Sequence, residues 1–161
     1  MSSSIFITGA SSGIGKALAF ELAKKGCSLA LASRRADLLK QVRNDIISAH
    51  NPPAVAIRPL DVTDYDDVFK AVNEMADELG GLDIVVANAG IGLGERVGRG
   101  DFEKIRRTIE VNLIGAMATV DAAAAYFLGK GKGHIVGISS VAAFRGMRKS
   151  SAYSASKAGF A

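Results

Sequence analysis

The chain has 161 residues, of which 48% are apolar and 22% charged, and carries a net charge of +4. This is ordinary globular composition, which excludes a disordered or fibrous chain, and the charge excess is too small to argue for a nucleic-acid partner. One domain of this length buries roughly two thirds of its unfolded surface. Cys27 is the sole cysteine, so no internal disulfide forms and a reducing, cytoplasmic setting is expected. It sits in the apolar run Cys27 to Ala32, where a buried, inert thiol is expected. Met1-Ser2-Ser3-Ser4 lacks the basic stretch of a signal peptide. Val111 to Gly129 contains no Lys or Arg, but it is alanine-rich and interrupted by Asp121. A buried or interface helix is expected there, and no membrane span.

In chain order, Ile5-Phe6-Ile7 reads as a first strand and 14–25 as a helix with Leu18 and Leu22 on its apolar face. A second strand at 28–32 precedes a helix at 36–49. Residues 54–60 form a third strand despite Pro59. Asp61-Val62-Thr63-Asp64 then offers capping side chains to a helix at 65–79. A fourth strand at 82–87 is followed by a long helix, straight or bent, at 101–128. Gly129 to Gly133 turns into a fifth strand at 134–138, and a last helix begins near Ser151. Strands alternating with helices predict an α/β fold, a doubly wound parallel sheet of Rossmann type covered on both faces. The whole of 1–161 reads as a single domain.

Thr8-Gly9-Ala10-Ser11-Ser12-Gly13-Ile14-Gly15 falls between the first strand and the first helix. At that place backbone N–H groups and the positive helix end can receive a pyrophosphate, and glycines let it approach. The glycine spacing is not G-x-G-x-x-G, and a plain tight turn is the alternative. Position between a strand and a helix favours the dinucleotide reading.

Tyr153 and Lys157 are four residues apart, so on a helix they share a face. A phenol titrating near ~10 is a poor acid or base at neutral pH. A neighbouring ammonium and a helix N-terminus both favour its phenolate, which would bring proton transfer within working range. His50 and His134 stand alone as surface or structural residues, and no His/Cys cluster has metal-ligand spacing.

Together these segments resemble the short-chain dehydrogenase/reductase family from about residue 4 to the end. Thr8-Gly9-x-x-x-Gly13-Ile14-Gly15 is similar to the family's cofactor motif. Asp61 resembles its adenine contact, and Asn88-Ala89-Gly90 its Asn-Asn-Ala-Gly motif with Ala87 in place of the first Asn. Asn112 matches the catalytic Asn, and Tyr153-Ser154-Ala155-Ser156-Lys157 the Tyr-x-x-x-Lys signature. Ser140, thirteen positions before Tyr153, takes the family's serine position, with Ser139 one place off. The resemblance implies that Asn112, Ser140, Tyr153 and Lys157 are catalytic. Tyr153 would be proton donor, Ser140 would steady the carbonyl oxygen, Lys157 would tune Tyr153 and hold the nicotinamide ribose, and Asn112 would support a proton relay. It also implies a cofactor site of Gly9, Ser11, Ser12, Gly13, Ile14, Gly15, Ser33, Arg34, Asp61, Val62, Asn88, Ala89, Gly90, Tyr153 and Lys157. Three of these positions have plainer readings. Asp61 can cap the next helix, Asn88 can tie strands together, and Asn112 can be a solvated helix residue.

No carboxylate ends the second strand, where one would bind the ribose hydroxyls of NAD; Ser33 and then Arg34 stand there instead. An arginine at that place suits the 2′-phosphate of NADP, so NADP(H) is expected over NAD(H). Two signs weaken this: Arg34 and Arg35 can simply solvate a helix start, and Ser12 is not the basic residue many NADP(H) members carry. Asp37, the nearest acid, is expected to serve the following helix end.

The expected activity is hydride transfer between NADP(H) and a small-molecule carbonyl or alcohol substrate. A non-catalytic nucleotide sensor on the same fold is the rival. A nucleic-acid-binding domain, more distant, has only the pairs Arg106-Arg107 and Arg148-Lys149 behind it. Family members continue beyond the Tyr-bearing helix, so a chain ending at Ala161 is expected to be C-terminally truncated and inactive alone. The apolar face of the long helix suggests a homodimer or homotetramer at full length.

Overall fold

A computed structural model describes residues 3–161. Its strands are β1 (Ser4–Thr8), β2 (Ser28–Ser33), β3 (Val55–Pro59), β4 (Ile84–Ala87) and β5 (His134–Gly137). They form one sheet in the order β3-β2-β1-β4-β5, every pair parallel. Consecutive strands run outward from β1 in one direction, and the chain then returns to β1's other side at β4. That reversal opens a crevice beyond the C-terminal ends of β1 and β4.

Both faces of the sheet are covered, so its strands need apolar residues at successive positions rather than at alternate ones. Phe6, Ala30 and Val85 point into one core layer with Val68, Val72 and Met75 of α3 (Tyr65–Leu79) and with Ala123 and Phe127. Ile5, Ile7, Leu29 and Leu31 point into the other, with α1 (Gly13–Lys24) and with Leu39, Val42 and Ile46 of α2 (Ala36–His50). Cys27 is half-buried beside this second layer rather than enclosed by it.

Pro59 is compatible with a strand because β3 lies at an edge of the sheet. The Leu60 N–H donates to Ser33 O at 3.0 Å, so the position before it directs its nitrogen to the open side, where no donor is required. Asp64 caps α3, its carboxylate accepting from Asp67 N at 3.1 Å, and Gly80 closes that helix in the left-handed region at φ 71°.

The expected long helix is continuous over Phe102–Lys130 and carries a π-helical turn. α4 (Phe102–Ile109) passes into a π-helical turn, Glu110–Ile114, and then into α5 (Gly115–Lys130). A Cβ at Gly115 would stand 2.7 Å from Val62 Cγ2 and 2.9 Å from Val62 O. The start of α5 therefore lies flush on the loop after β3. By length and composition Phe102–Lys130 could cross a membrane, yet α5 packs on α3, β4 and β5 as a core helix. After β5 comes a 3₁₀ turn, Val141–Ala143, and then α6 (Ser151–Phe160).

Phe6 is fully buried at the centre of the middle strand. Phe6→Ala should lower the unfolding free energy by about 3–5 kcal/mol, read from the midpoint shift in urea at constant slope.

Candidate active site

One cleft lies at the crevice between β1 and β4, bounded by the glycine-rich turn on one side and α6 on the other. Every site residue named from the sequence lines it except Gly15, Asn112 and Ser140. Thr8, Arg35 and Ser139, not expected as site residues, also line it, as do Ile91 and Gly92, which no sequence signal marks.

The turn is built for close approach. Gly9 and Gly13 have φ of 70° and 57°, a region costly to residues with a Cβ. Gly15 lies beneath the turn, where a Cβ would come within 2.5 Å of both Gly9 O and Asn88 Nδ2. Thr8 Oγ1 donates to Val86 O and accepts from the Asn88 and Ala89 N–H groups at 3.1 and 3.2 Å. Asn88 Nδ2 returns bonds to Thr8 O at 2.9 Å and Gly9 O at 3.3 Å. Asn88 thus ties two strand ends together, the plainer of its two readings. Helix α1 begins at the cleft with no side-chain cap and no acid in its first turn. Its free N–H groups and positive end suit a pyrophosphate, so the residues present fit a dinucleotide.

At the end of β2, Arg34 and Arg35 are both exposed at the cleft. Arg35 Nη2 donates to Ser12 Oγ at 2.7 Å and Ser11 Oγ at 3.1 Å. Arg34 Nη1 lies 3.9 Å from Asp61 Oδ2. That oxygen accepts from Arg107 Nη2 at 2.8 Å, while Asp61 Oδ1 accepts from Thr63 N and Oγ1. Burial pushes the Asp61 carboxyl upward, but the bonds from Thr63 and Arg107 outweigh it and hold it below the ordinary carboxylate range. Asp61 does not cap α3; Asp64 does. Arg106 is paired with Glu103 and Glu110, so the Arg106-Arg107 pair offers little free charge to a nucleic acid.

At the other end, Tyr153 and Lys157 rise from α6. Lys157 is 5% exposed, and burial pushes its ammonium below the usual lysine range. Its Nζ donates to Ile138 O at 2.6 Å, which leaves two of its three protons free. Asn112 lies fully buried in the π-helical turn, not solvated. It accepts from Ile91 N at 2.7 Å and donates to Ile91 O at 2.8 Å and Ser156 Oγ at 3.3 Å. Its side chain is spent on holding the loop after β4 to α6. Ser140 begins the 3₁₀ turn, its Oγ accepting from Ala142 N at 3.2 Å, which leaves its own proton to donate. Ser139, the neighbour, faces the cleft and donates to Lys157 O at 3.4 Å.

A glycine-rich turn at the switch point of a doubly wound parallel sheet defines a dinucleotide-binding α/β protein. A family profile described as short chain dehydrogenase matches residues 3–161, and the chain belongs to that family. It is 42% identical over 156 residues to an uncharacterized oxidoreductase of Mycobacterium tuberculosis, covering 96% of this chain. The chain spans about three-fifths of the length of the curated relatives it matches, 62% for this one. An alcohol dehydrogenase from Thermococcus sibiricus, complexed with 5-hydroxy-NADP, superposes with a TM-score of 0.91 at 31% identity, over 99% of this chain and 67% of that one. An NAD+-bound xylitol dehydrogenase superposes with a TM-score of 0.92 at 26% identity, over 98% and 60%.

Because Asn112 satisfies both backbone groups of Ile91, Asn112→Ala should destabilise the fold by about 1–3 kcal/mol. Asn112→Asp should not restore the loss, since a carboxylate cannot donate to Ile91 O. Thermal melts of the two variants beside the parent check this.

Proposed function

We propose that the full-length protein is an NADP(H)-dependent oxidoreductase interconverting a small carbonyl compound and its alcohol. The observation that carries this reading is that Tyr153 and Lys157 line the same cleft as the glycine-rich turn. Proton-transfer groups and a dinucleotide cradle are therefore within reach of one bound substrate.

In this reading the first turn of α1 and Gly9, Ser11, Ser12, Gly13 and Ile14 hold the pyrophosphate, with Gly15 packed beneath them. Val62, Asn88, Ala89 and Gly90 wall the cleft between its two ends. When bound, the dinucleotide supplies or accepts the hydride. Tyr153 gives its phenolic proton to the carbonyl oxygen in reduction and takes it back in oxidation. Ser140 donates its free proton to the same oxygen as negative charge grows there. Lys157, desolvated and with two protons unspent, favours the phenolate and grips the ribose hydroxyls. Asn112 supports the site by holding α6 and the loop together.

NADP(H) is preferred on local chemistry, since the two solved relatives above hold an NADP-type and an NAD cofactor respectively. No acid ends β2, and Arg34 stands at its tip. Arg35, hydrogen-bonded to Ser12, brings a cation to the place where Ser12 itself supplies none. The exposed Ile114, Met117 and Leu128 around α5 suit pairing with a second copy, as a homodimer or homotetramer.

Arg34→Ala in the full-length protein should weaken NADPH binding by about 1.5–3 kcal/mol and leave NADH unchanged. Equal losses in fluorescence titration would remove the 2′-phosphate assignment.

Tyr153→Phe keeps the ring and deletes the proton. NADPH binding should persist while kcat against a carbonyl panel falls by about 10²–10⁴-fold. A variant retaining more than about a tenth of the parental rate would mean that Tyr153 is not the acid.

A further inference from the structure

Glu95 is a carboxylate only 3% exposed, and no step described so far uses it. It lies in the loop after β4, at a place with no family motif. A buried carboxylate must find donors, and Glu95 finds them on α6. Its Oε1 accepts from Ala152 N at 2.7 Å and from Ser151 Oγ at 2.8 Å. Ser150, at the N-cap position of α6, makes no side-chain capping bond. The first turn of the helix therefore takes its cap from a residue 57 positions earlier in the chain. The positive end of α6 also favours the negative charge there.

Ala152 immediately precedes Tyr153. The loop that carries Glu95 also passes Tyr153 itself: a Cβ at Gly92 would lie 3.8 Å from Tyr153 Cδ2. On the far side of Tyr153, Asn112 bonds Ser156 while gripping Ile91 of the same loop. The Glu95 N–H donates to Lys149 O at 3.1 Å, anchoring the loop to the segment just before α6. Helix α6 is thus fastened to one loop at Ala152 and, through Asn112, at Ser156, with Tyr153 between the two fastenings.

We propose that Glu95 is a positioning residue: through its bonds to Ser151 and Ala152 it sets the placement of Tyr153 relative to the loop that walls the cleft. The proposal rests on Tyr153 being the proton donor. The bonds, not the charge, do the positioning. A group held in productive geometry loses about 10²-fold in rate when displaced by about an ångström. Loss of Glu95 acts on the chemical step, because the pyrophosphate and adenosine ends of the cleft are built from other elements and Lys157, on α6, is held separately by Ile138 O.

The test uses full-length protein with NADPH and a carbonyl substrate. E95A should lower kcat by about 10²-fold while the KM for NADPH stays within about threefold. E95Q, whose amide oxygen accepts the same two bonds, should recover most of the rate. An unchanged kcat in E95A, a parallel loss of NADPH binding, or failure of E95Q to recover the rate would each overturn the proposal. Should E95A not fold, S151A removes one of the two bonds and leaves the carboxylate in place. A severalfold fall in its kcat with unchanged melting supports the positioning role, and an unchanged kcat overturns it. Tyr153→Phe, assayed in parallel, separates the two ideas: if that variant stays active the proton-donor reading fails, whatever E95A does.

Discussion

The tips of β1 and β4 are joined by side chains where the sheet ladder ends. Thr8 Oγ1 takes the Asn88 and Ala89 N–H groups, and Asn88 Nδ2 reaches back to the carbonyls of Thr8 and Gly9. Two neighbouring parallel strands whose chains then leave in different directions would otherwise expose unpaired backbone groups in a cleft. Satisfying those groups sideways keeps the crevice open without leaving it frayed. The glycine at 15 follows from the same arrangement, since the Asn88 amide and Gly9 O occupy the space a Cβ would need.

From that joint the cleft divides into two ends with different electrostatics. The β2 tip presents Arg34 and Arg35, the first of them balanced by Asp61 after β3, which Arg107 from α4 holds ionised. The α6 end is drier and carries a desolvated lysine against a strand-end carbonyl. The exposed charges thus lie near solvent, where ions are cheap to hold, and the lysine lies where burial strengthens each interaction. The π-helical turn and the loop after β4 bridge the two halves through Asn112.

Much of this was legible in the residues, and the exceptions have a common cause. The bounds of the helix over 65–79 are legible to the residue; Asp64, within the capping run read before it, caps its start, and Gly80 closes its end. The parallel sheet followed from apolar runs such as Ser28–Ser33, which only burial on both faces explains. The turn at 8–15, Tyr153 and Lys157 were readable because their spacing is local. Pairings far apart in sequence were not: Arg107 with Asp61, Arg35 with Ser12, and Glu95 with the start of α6. Nothing local to Arg107, Arg35 or Glu95 names the partner that the fold brings to it. The long helix is legible as straight or bent, but not its π-helical turn, nor the close approach of Gly115 to Val62, which lies in another segment. Asn112 was visible as polar among apolar neighbours, but not the two backbone groups that it satisfies.

A π-helical turn amounts to one extra residue wound into an α-helix. Removing a single residue between Glu110 and Ile114 would leave a sequence able to run as one unbroken helix. Everything beyond the deletion would then rotate by about 100° and retreat by about 1.5 Å relative to α4. Gly115 would leave Val62, and the face of α5 now lying on the sheet would swing toward solvent. Chain length in this stretch is therefore a structural quantity in its own right. The number of residues here, and not only the identity of Asn112 and Gly115, fixes how α5 lies against the sheet.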